Sequence, residues 1–260
     1  MTSLHSLHQQ VALITAAGSG LGRGIALELA RREAFVHVWD RDAAALKNLA
    51  DESAAAGYAI ETRLVNLSKD DEIHAAFAAN LQQSKKIDIL INNAGGSLHT
   101  PFHFLEQSKE DWQKVFELNL MLAVTLSQLV IPVMMANHYG RIINLGSKAG
   151  RYGSLFAGAN YAAAKGAIHS LTLQLAQEFG PYGITCNAIC PGAVMTPRVQ
   201  GLLKERQSDE LRQKILNEIP VRRHAEVDDV AQAVAYLASC EAGFITGTLL
   251  DINGGQAMST

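Results

Sequence analysis

Short apolar runs alternate with longer segments of helical periodicity along the 260-residue chain. The runs predict seven strands, at 11–15, 35–39, 60–65, 87–91, 141–145, 184–189 and 247–251. The segments between them predict helices near 21–32, 42–56, 69–84, 108–137, 160–180 and 226–239. Strict alternation of strand and helix predicts an α/β fold, a doubly wound parallel sheet with helices on both faces. Because the chain has no repeat or linker, residues 1–260 are expected to form a single domain.

The composition limits the classes of function. Hydrophobic residues make up 48% and charged residues 18% of the chain, which is ordinary for a globular enzyme. The formal net charge of −3 gives no reason to expect binding to nucleic acid or to an anionic membrane. The start, MTSLHSLHQQ, lacks the pattern of a secretory signal, and no uninterrupted apolar stretch has the length of a bilayer span. A cytoplasmic enzyme is therefore expected.

The cysteines and histidines form no recognisable metal-binding pattern. Three cysteines cannot all pair in disulfides, and so few in a chain of this length indicate a reducing compartment. Cys186 and Cys190 have no matching His or Cys pair and are expected to pack in the core. His99 and His103 flank Pro101, which argues against two ligands on one helix face. No metal is expected.

A glycine-rich turn follows the first predicted strand and opens the first predicted helix. Glycines here let the backbone approach a pyrophosphate, and the N–H groups of the helix N-terminus attract phosphate. A structural turn with glycines for packing is the alternative. The candidate cofactor-binding residues of this turn are Thr15, Gly18, Ser19, Gly20, Leu21 and Gly22.

The second predicted strand ends at Asp40, 18 residues beyond Gly22. A carboxylate at this point can accept hydrogen bonds from a ribose diol and would repel a 2′-phosphate, which favours NAD. Arg41 follows directly, so that NADP stays possible. Asp40 could instead cap the next helix, but Asp42 is better placed to do so. Asp40 is therefore expected to be free for the ribose.

Tyr161 and Lys165 lie one turn apart at the start of a long apolar helical pattern, so their side chains can meet. A free phenol titrates at about 10. An ammonium close to it would lower that pKa towards the range useful in acid–base catalysis. Ser147 can donate a hydrogen bond to a carbonyl oxygen or accept one from an alcohol. The three could hold a C–OH or C=O group and move its proton, although a Tyr–Lys pair alone also occurs by chance.

Amide side chains mark two further positions. The fourth predicted strand runs into Asn92-Asn93-Ala94-Gly95, where small residues suit close approach to a flat ligand. An Asn amide that ties neighbouring strands together is equally compatible. Asn119 interrupts an apolar helical stripe, and a buried amide there needs partners. It is expected to be either a satisfied core group or the holder of a water next to Lys165.

Together these motifs resemble those of the short-chain dehydrogenase/reductase family over nearly the whole chain. The family's TGxxxGxG turn corresponds to 15–22, its NNAG to 92–95, its PG motif to 191–192 and its glycine-rich close to ITGTLLDINGG. The resemblance implies a Rossmann-type seven-stranded sheet and an oxidoreductase that interconverts secondary alcohols and ketones with NAD(P). The family's catalytic tetrad falls on Asn119, Ser147, Tyr161 and Lys165.

The resemblance also implies a role for each residue. Tyr161 would be the general acid/base, and Lys165 would lower its pKa and bind the nicotinamide ribose. Ser147 would stabilise the substrate oxygen, and Asn119 would support a water-linked proton relay. Further cofactor contacts are expected at Arg41, Asn66, Leu67, Asn93, Ala94, Gly95, Pro191, Gly192, Val194 and Thr196.

Two positions depart from the family pattern. Ala16 replaces the first glycine of the turn, for which we expect a slightly altered turn and retained binding. Asn66 stands where many members carry an aspartate near the adenine, and its side-chain oxygen can still accept a hydrogen bond.

The charged segment at about 193–223 occupies the place of the family's mobile substrate lid, whose closure would exclude water. Most of its charges could instead simply be solvated. Lys148 and Arg151 could meet a carboxylate, phosphate or sulfonate, or point to solvent. Substrate contacts are expected from Ser147, Tyr161, Gly96, His99, Arg151, Leu155 and Met195.

The leading hypothesis is an NAD-dependent dehydrogenase of a secondary alcohol, which could be a sugar, polyol, hydroxy acid or alicyclic alcohol. The alternatives are an NADPH-dependent reductase of 3-oxoacyl thioesters and a non-catalytic nucleotide-binding regulator on the same fold. Helices 108–137 and 160–180 have more apolar surface than one sheet face needs. They are expected to pack against another subunit, in a homotetramer or a homodimer.

Overall fold

A computed structural model describes residues 6–154, 157–206 and 208–258 and contains one parallel sheet. Its strands are β1 (Val11–Thr15), β2 (Phe35–Asp40), β3 (Ile60–Leu64), β4 (Ile89–Asn92), β5 (Gly140–Leu145), β6 (Ile184–Pro191) and β7 (Leu249–Ile252). They lie in the order β3-β2-β1-β4-β5-β6-β7, and every neighbouring pair is parallel. The predicted seven-stranded doubly wound sheet is confirmed.

The direction of winding reverses beside β1. From β1 the chain moves outward to β2 and β3, and then returns to β4 on the other side of β1. Connections at such a point leave the carboxyl ends of two adjacent strands in opposite directions and open a crevice between them. The turn after β1 and the NNAG stretch after β4 therefore meet at one edge of the sheet.

Nine α-helices lie within the described ranges. Seven of them alternate with the strands, while α7 and α8 form the segment predicted as a lid. The helices are α1 (Gly20–Arg31), α2 (Ala43–Ala56), α3 (Asp70–Ser84), α4 (Lys109–Phe116), α5 (Leu122–Ala136), α6 (Ala159–Phe179), α7 (Pro197–Arg206), α8 (Asp209–Glu218) and α9 (Val227–Ala238).

Two apolar clusters fill the space between the sheet and its helices. Successive residues of β1 point to opposite faces, so that Ile14 belongs to one cluster and Leu13 to the other. The first cluster includes Leu29 of α1 and Val234 of α9, and the second includes Leu126 of α5. Because both faces are covered, the central strands are apolar at nearly every position, which explains their continuous apolar runs.

The expected single helix 108–137 is wrong in one respect, because a π-helical turn at Glu117–Met121 separates α4 from α5. Asn119 lies in this turn and is buried. Its Nδ2 donates to Val115 O at 2.8 Å and to Gly96 O at 2.9 Å. The widened turn thus directs an amide towards the loop after β4, a local change that average periodicity does not reveal.

One helical stretch among the described residues, Lys109–Ala136, is long and apolar enough to cross a membrane by length and composition alone. Its most apolar window has a mean hydropathy of 1.9 and is 44% buried. The buried side chains include Leu126, Val130 and Met134, which pack in the second cluster. This packing accounts for part of the apolar surface without a bilayer.

The lid segment is anchored at its two ends. Val194 pairs with Ala225 in an isolated parallel bridge, and Met195 N–H donates to Ala225 O at 2.8 Å. Between these anchors lie α7 and α8. The mobility expected of the segment stays a prediction.

Candidate active site

A cavity of about 790 Å³ opens at the carboxyl ends of the strands, where the winding reverses. Most of the residues predicted to bind cofactor, and three of the predicted tetrad, line this one space. They are Ser19, Gly20, Leu21, Gly22, Asp40, Arg41, Asn93, Gly95, Ser147, Tyr161, Lys165, Pro191, Gly192, Val194 and Thr196. Gly96, one of the expected substrate contacts, lines it as well.

The N-terminus of α1 is suited to a phosphate group. Its N-cap, Ser19, has extended backbone and makes no side-chain capping hydrogen bond, and the first turn carries no acidic residue. Backbone N–H groups and the positive end of the helix dipole are therefore left for an anion. Gly22 packs so closely that a Cβ there would lie 2.4 Å from Asn93 Nδ2. These features fit the pyrophosphate of a dinucleotide.

The structural interpretation of the NNAG stretch is confirmed, while close approach to a flat ligand stays a prediction. Asn92 Nδ2 donates to Asn144 Oδ1 at 2.8 Å, which ties β4 to β5. Asn93 Nδ2 donates to Thr15 O and Ala16 O, each at 2.9 Å, and the residue also lines the cavity. The loop after β4 is thus fastened to the glycine-rich turn.

Three of the predicted cofactor-binding residues do not line the cavity but form hydrogen bonds behind its lining. Thr15 Oγ1 accepts a hydrogen bond from Ala94 N–H at 3.1 Å. Gly18 N–H donates to Asp40 Oδ2 at 2.9 Å. Thr15, Gly18 and Ala94 therefore hold the turn and the NNAG loop in place.

Asp40 faces the cavity, but it is less free than expected. Oδ2 accepts from Gly18 N–H and Oδ1 accepts from Asp42 N–H at 3.1 Å. Asp42 caps α2 through Ala45 N–H at 3.0 Å, as predicted. Since each carboxylate oxygen can accept more than one hydrogen bond, Asp40 keeps capacity for a diol.

Lys165 is buried beside Tyr161. Its side chain is 3% exposed, and Nζ donates to Leu145 O, at the end of β5, at 2.6 Å. Nζ lies 5.8 Å from the centroid of the Tyr161 ring. Burial lowers the pKa of Lys165 from 10.5 to about 8, against a smaller opposing effect of Cys190. Most of the ammonium charge therefore persists at neutral pH.

The expectation that Lys165 lowers the pKa of Tyr161 is wrong for this state of the enzyme. Burial raises the pKa of Tyr161 above 10.0, and the groups that oppose this rise are Ser147, by a hydrogen bond, and Arg198, by its charge. Lys165 instead directs its ammonium to a backbone carbonyl. Ser147 Oγ accepts from Ala149 N–H at 3.1 Å, which leaves its hydroxyl proton for the phenol oxygen.

Asn119 is a satisfied core group that lies directly behind the reactive residues. Its Oδ1 accepts from Gly96 N–H at 3.0 Å. A Cβ at Gly95 would lie 2.7 Å from Asn119 Oδ1 and 2.9 Å from Lys165 Nζ. The glycine therefore allows the amide, the β4 loop and the ammonium to approach one another.

Several predicted contacts are not brought to the cavity. Arg151 is wrong as a substrate contact, because its Nη1 donates to Asp251 Oδ2 at 2.6 Å and to Leu249 O at 2.8 Å. His99 is exposed and does not line the cavity, so its contact with a substrate stays a prediction. Leu155 lies outside the described residues.

The last three predicted residues outside the cavity lining, Asn66, Leu67 and Met195, make contacts elsewhere. Asn66 Oδ1 accepts from Ser68 N–H and Oγ, at 3.1 and 2.8 Å, so its oxygen serves its own turn. Leu67 packs against the second apolar cluster. Met195 is engaged through its backbone at the base of the lid.

The sequence interpretation missed two residues near the site. Arg198 lines the cavity. Pro197 could have indicated its position, because proline favours the first position of a helix and residue 198 then lies in the first turn of that helix. His169 lies one turn beyond Lys165 on α6, and its Nε2 approaches Ser147 N at 3.4 Å. Burial lowers the pKa of His169 to about 4, so the ring is neutral at pH 7.

The site defines a class of protein, an α/β oxidoreductase with a dinucleotide cavity and a Ser–Tyr–Lys constellation. The sequence model of the family described as enoyl-(acyl carrier protein) reductase matches residues 15–257. The chain is 38% identical over 253 residues to 2,3-dihydroxy-2,3-dihydro-p-cumate dehydrogenase of Pseudomonas putida, covering 97% of this chain and 96% of that protein.

Two further relatives also match nearly the whole length of this chain. Over 255 residues the chain is 36% identical to a 3-oxoacyl-(acyl-carrier-protein) reductase of Salmonella typhimurium, covering 97% of this chain and 99% of the relative. It also superposes on a solved 7α-hydroxysteroid dehydrogenase, complexed with NADH and 7-oxo glycochenodeoxycholic acid, with a TM-score of 0.89 and 32% identity. That match covers 98% of both chains.

The chain belongs to the short-chain dehydrogenase/reductase family. It is an oxidoreductase that acts on CH–OH groups with a nicotinamide cofactor, whose phosphates and ribose the residues described above fit. Within the described ranges, no cluster of three or more His, Cys, Asp or Glu side chains could hold a metal ion.

Replacing Ser147 by alanine removes a group that lowers the pKa of Tyr161. Alcohol oxidation needs the deprotonated phenol, so its rate rises with pH through the pKa of Tyr161. We expect Ser147→Ala to move this rise to higher pH and to lower kcat at pH 7 by about 10²-fold. The measurement is the pH profile of kcat for alcohol oxidation.

Ser127→Ala is the matched control, because Ser127 is buried on α5 and its Oγ has no partner in the described structure. Its profile should follow that of the unaltered enzyme. A Ser147→Ala profile with an unmoved rising limb would contradict the assignment.

Proposed function

We propose that this enzyme is an NAD-dependent dehydrogenase of a secondary alcohol. The observation that carries the choice of NAD is the Asp40 carboxylate, which lines the cavity at the end of β2 and is held by Gly18 N–H. Asp42 lines the same end of the cavity. Two carboxylates there favour a ribose diol and disfavour a 2′-phosphate.

The catalytic roles follow from the contacts. A bound nicotinamide would supply the hydride-transfer chemistry that interconverts the carbinol and the ketone. Tyr161 takes the hydroxyl proton during oxidation and gives it back during reduction. Ser147 donates to the substrate oxygen. Lys165 supplies a buried positive charge, and Asn119 holds the loop that faces it.

The raised pKa of Tyr161 affects alcohol oxidation and ketone reduction differently. At neutral pH the phenol is protonated and ready to act as the acid in ketone reduction. Alcohol oxidation requires the phenolate and should therefore be faster at alkaline pH. NAD is usually the oxidised pool in cells, so oxidation is the proposed physiological direction.

Tyr161→Phe tests the catalytic role, because it removes the proton-transferring oxygen and little else. We expect kcat to fall by about 10³-fold while NAD binding, measured by fluorescence titration, is retained. Tyr182→Phe is the control, since Tyr182 lies in an exposed turn after α6. A Tyr161→Phe enzyme as fast as the unaltered one would contradict the proposal and favour a non-catalytic role for the site.

Asp40→Ala tests the cofactor choice. Removing the carboxylate should lower kcat/KM with NAD and raise it with NADP, changing the ratio of the two by about 10²-fold. Asp51→Ala on α2 is the control, because Asp51 is exposed and paired with Lys47. An unaltered enzyme that already prefers NADP would show that Arg41 dominates.

The second candidate is an NADPH-dependent reductase of 3-oxoacyl thioesters. It is favoured by the position of Arg41 on the cavity and by the 3-oxoacyl reductase relative. Arg23, the other basic residue available to a 2′-phosphate, forms an ion pair with Glu52. Turnover of a 3-oxoacyl thioester with NADPH, at rates above those for simple secondary alcohols with NAD, would select this candidate.

The relatives indicate which classes of alcohol the proposed dehydrogenase could oxidise. The Pseudomonas enzyme acts on a dihydrodiol of p-cumate, and the solved hydroxysteroid dehydrogenase holds a 7-oxo bile acid. We infer an alicyclic alcohol or a hydroxy acid as the substrate class. The location proposed for the enzyme is the cytoplasm.

We propose that the enzyme is a homotetramer or a homodimer assembled through α5 and α6. Leu173 on α6 is 48% exposed, and Met121, just before α5, is 43% exposed. Light scattering at micromolar concentration should give a multiple of the chain mass, and Leu173→Glu should shift the population towards smaller species. Leu64 is exposed on the edge strand β3. The control variant Leu64→Glu should therefore leave the mass unchanged. A monomer would contradict the proposal.

A further inference from the structure

The charges that line the cavity are separated by sign along its length. The acidic lining residues are Asp40 and Asp42, at the end of β2. Apart from Arg41, the lysine, arginine and histidine side chains of the lining lie towards the Tyr161 end. They are Lys148, Lys165, Arg198 and His224. No acidic side chain lines that end within the described part of the chain. The charged side chains that a substrate meets at that end are therefore all basic.

Arg198 is the best placed of these groups. It is the second residue of α7, and a Cβ on Gly96 would lie 2.5 Å from its Nη2 and 2.9 Å from its Nη1. Its charge also acts on Tyr161. The guanidinium therefore stands between the loop after β4 and the phenol, beside the place where the carbinol must bind.

The guanidinium of Arg198 is available to a ligand, because the residue is exposed and also lines the cavity. It makes no hydrogen bond or ion pair with any of the described residues, whereas Arg151 and Arg223 each pair with an aspartate. A planar, permanently charged fork of N–H donors fits a carboxylate or phosphate in a bidentate manner. An unpaired fork at the mouth of a reactive site is available for such a group.

Lys148 and His224 add hydrogen-bond donors. Lys148 Nζ donates to the neutral Gln256 Oε1 at 3.0 Å, and burial lowers its pKa while the charge of Glu218 on α8 opposes this. His224 Nδ1 is buried without a partner among the described residues, and burial lowers the pKa of this ring too. Of these three groups, Arg198 alone is charged at every physiological pH and has no hydrogen-bond or ion-pair partner among the described residues, which suits an anion.

We propose that the substrate is a secondary alcohol bearing a carboxylate near the carbinol, and that Arg198 binds this carboxylate, with Lys148 and His224 as further donors. This inference rests on the proposed dehydrogenase function and names its substrate class. Arg198 is then a specificity-determining residue on the lid, since an anion would draw α7 towards Tyr161. A thioester, whose ketone has no charge beside it, would leave the guanidinium unmatched.

The test compares matched substrates. We would measure kcat/KM with NAD for the 2-, 3- and 4-hydroxycyclohexanecarboxylates, their methyl esters and the corresponding hydroxycyclohexyl phosphates. The best acid should exceed its ester by on the order of 10²-fold. Arg198→Gln should bring the ratio of acid to ester close to one, and Arg198→Lys should restore part of it. Arg222→Gln, an exposed arginine outside the cavity lining, should keep the full ratio.

Binding without turnover provides a second readout. In the presence of NAD, cyclohexanecarboxylate should raise the melting temperature by about 2 °C or more, and cyclohexanecarboxamide should not. Arg198→Gln should abolish the difference. Esters turned over as well as acids, or a carboxylate that leaves the melting temperature unchanged, would overturn the proposal.

Two further outcomes separate the possibilities. A phosphate preferred over every carboxylate would overturn the assignment of the anion. Failure of the dehydrogenase function is recognised separately, because it would appear as an unimpaired Tyr161→Phe variant whatever the carboxylate does to the melting temperature.

Discussion

The buried ammonium of Lys165 is the group on which the rest of the site depends. A charge removed from water is costly unless it is held by polar partners. Here Nζ donates to the last carbonyl of β5 at 2.6 Å, and burial brings the pKa to about 8. The carbonyl is available because β5 ends at the edge where the winding reverses, and the space is available because Gly95 has no side chain. The sheet order, the NNAG loop and α6 all serve to place this one charge next to Tyr161.

Around that charge the site balances opposite influences on Tyr161. Burial keeps the phenol protonated, while Ser147 and Arg198 favour its ionised form. Because Arg198 is one of the groups that act on the phenol, changes at α7 are expected to alter the reactivity of Tyr161. In the proposed complex, Arg198 would therefore link substrate recognition to proton transfer. At the other end of the cavity, Asp40 is held by the turn that also presents the uncapped N–H groups of α1, which suit a phosphate. One connection, from β1 to α1, would thus position two separate parts of a bound dinucleotide.

Sequence reasoning predicted the fold because the two signals it uses are local. A strand covered on both faces is apolar throughout, and a helix on a sheet has one apolar face, so the alternation could be identified without knowing any contact. The meeting of the cofactor and catalytic motifs at one cavity could be predicted because the carboxyl ends of parallel strands share one edge. What could not be predicted depends on distant partners. Arg151 and Arg198 are both arginines near motifs, and only the position of Asp251 shows that the first is paired. The π turn at Asn119 and the left-handed φ of 50° at Ala16, where the family has glycine, are likewise set by neighbouring loops.

The most direct test is the titration of Lys165 itself. In enzyme labelled with 13Cε-lysine, the resonance that disappears in Lys165→Met identifies this residue, and its chemical shift against pH gives the pKa. The structure predicts a midpoint at about 8, well below the ordinary value of 10.5. A midpoint near 10.5 would mean that the ammonium is solvated and does not lie in the buried position between β5 and Tyr161, which would contradict the account of the site.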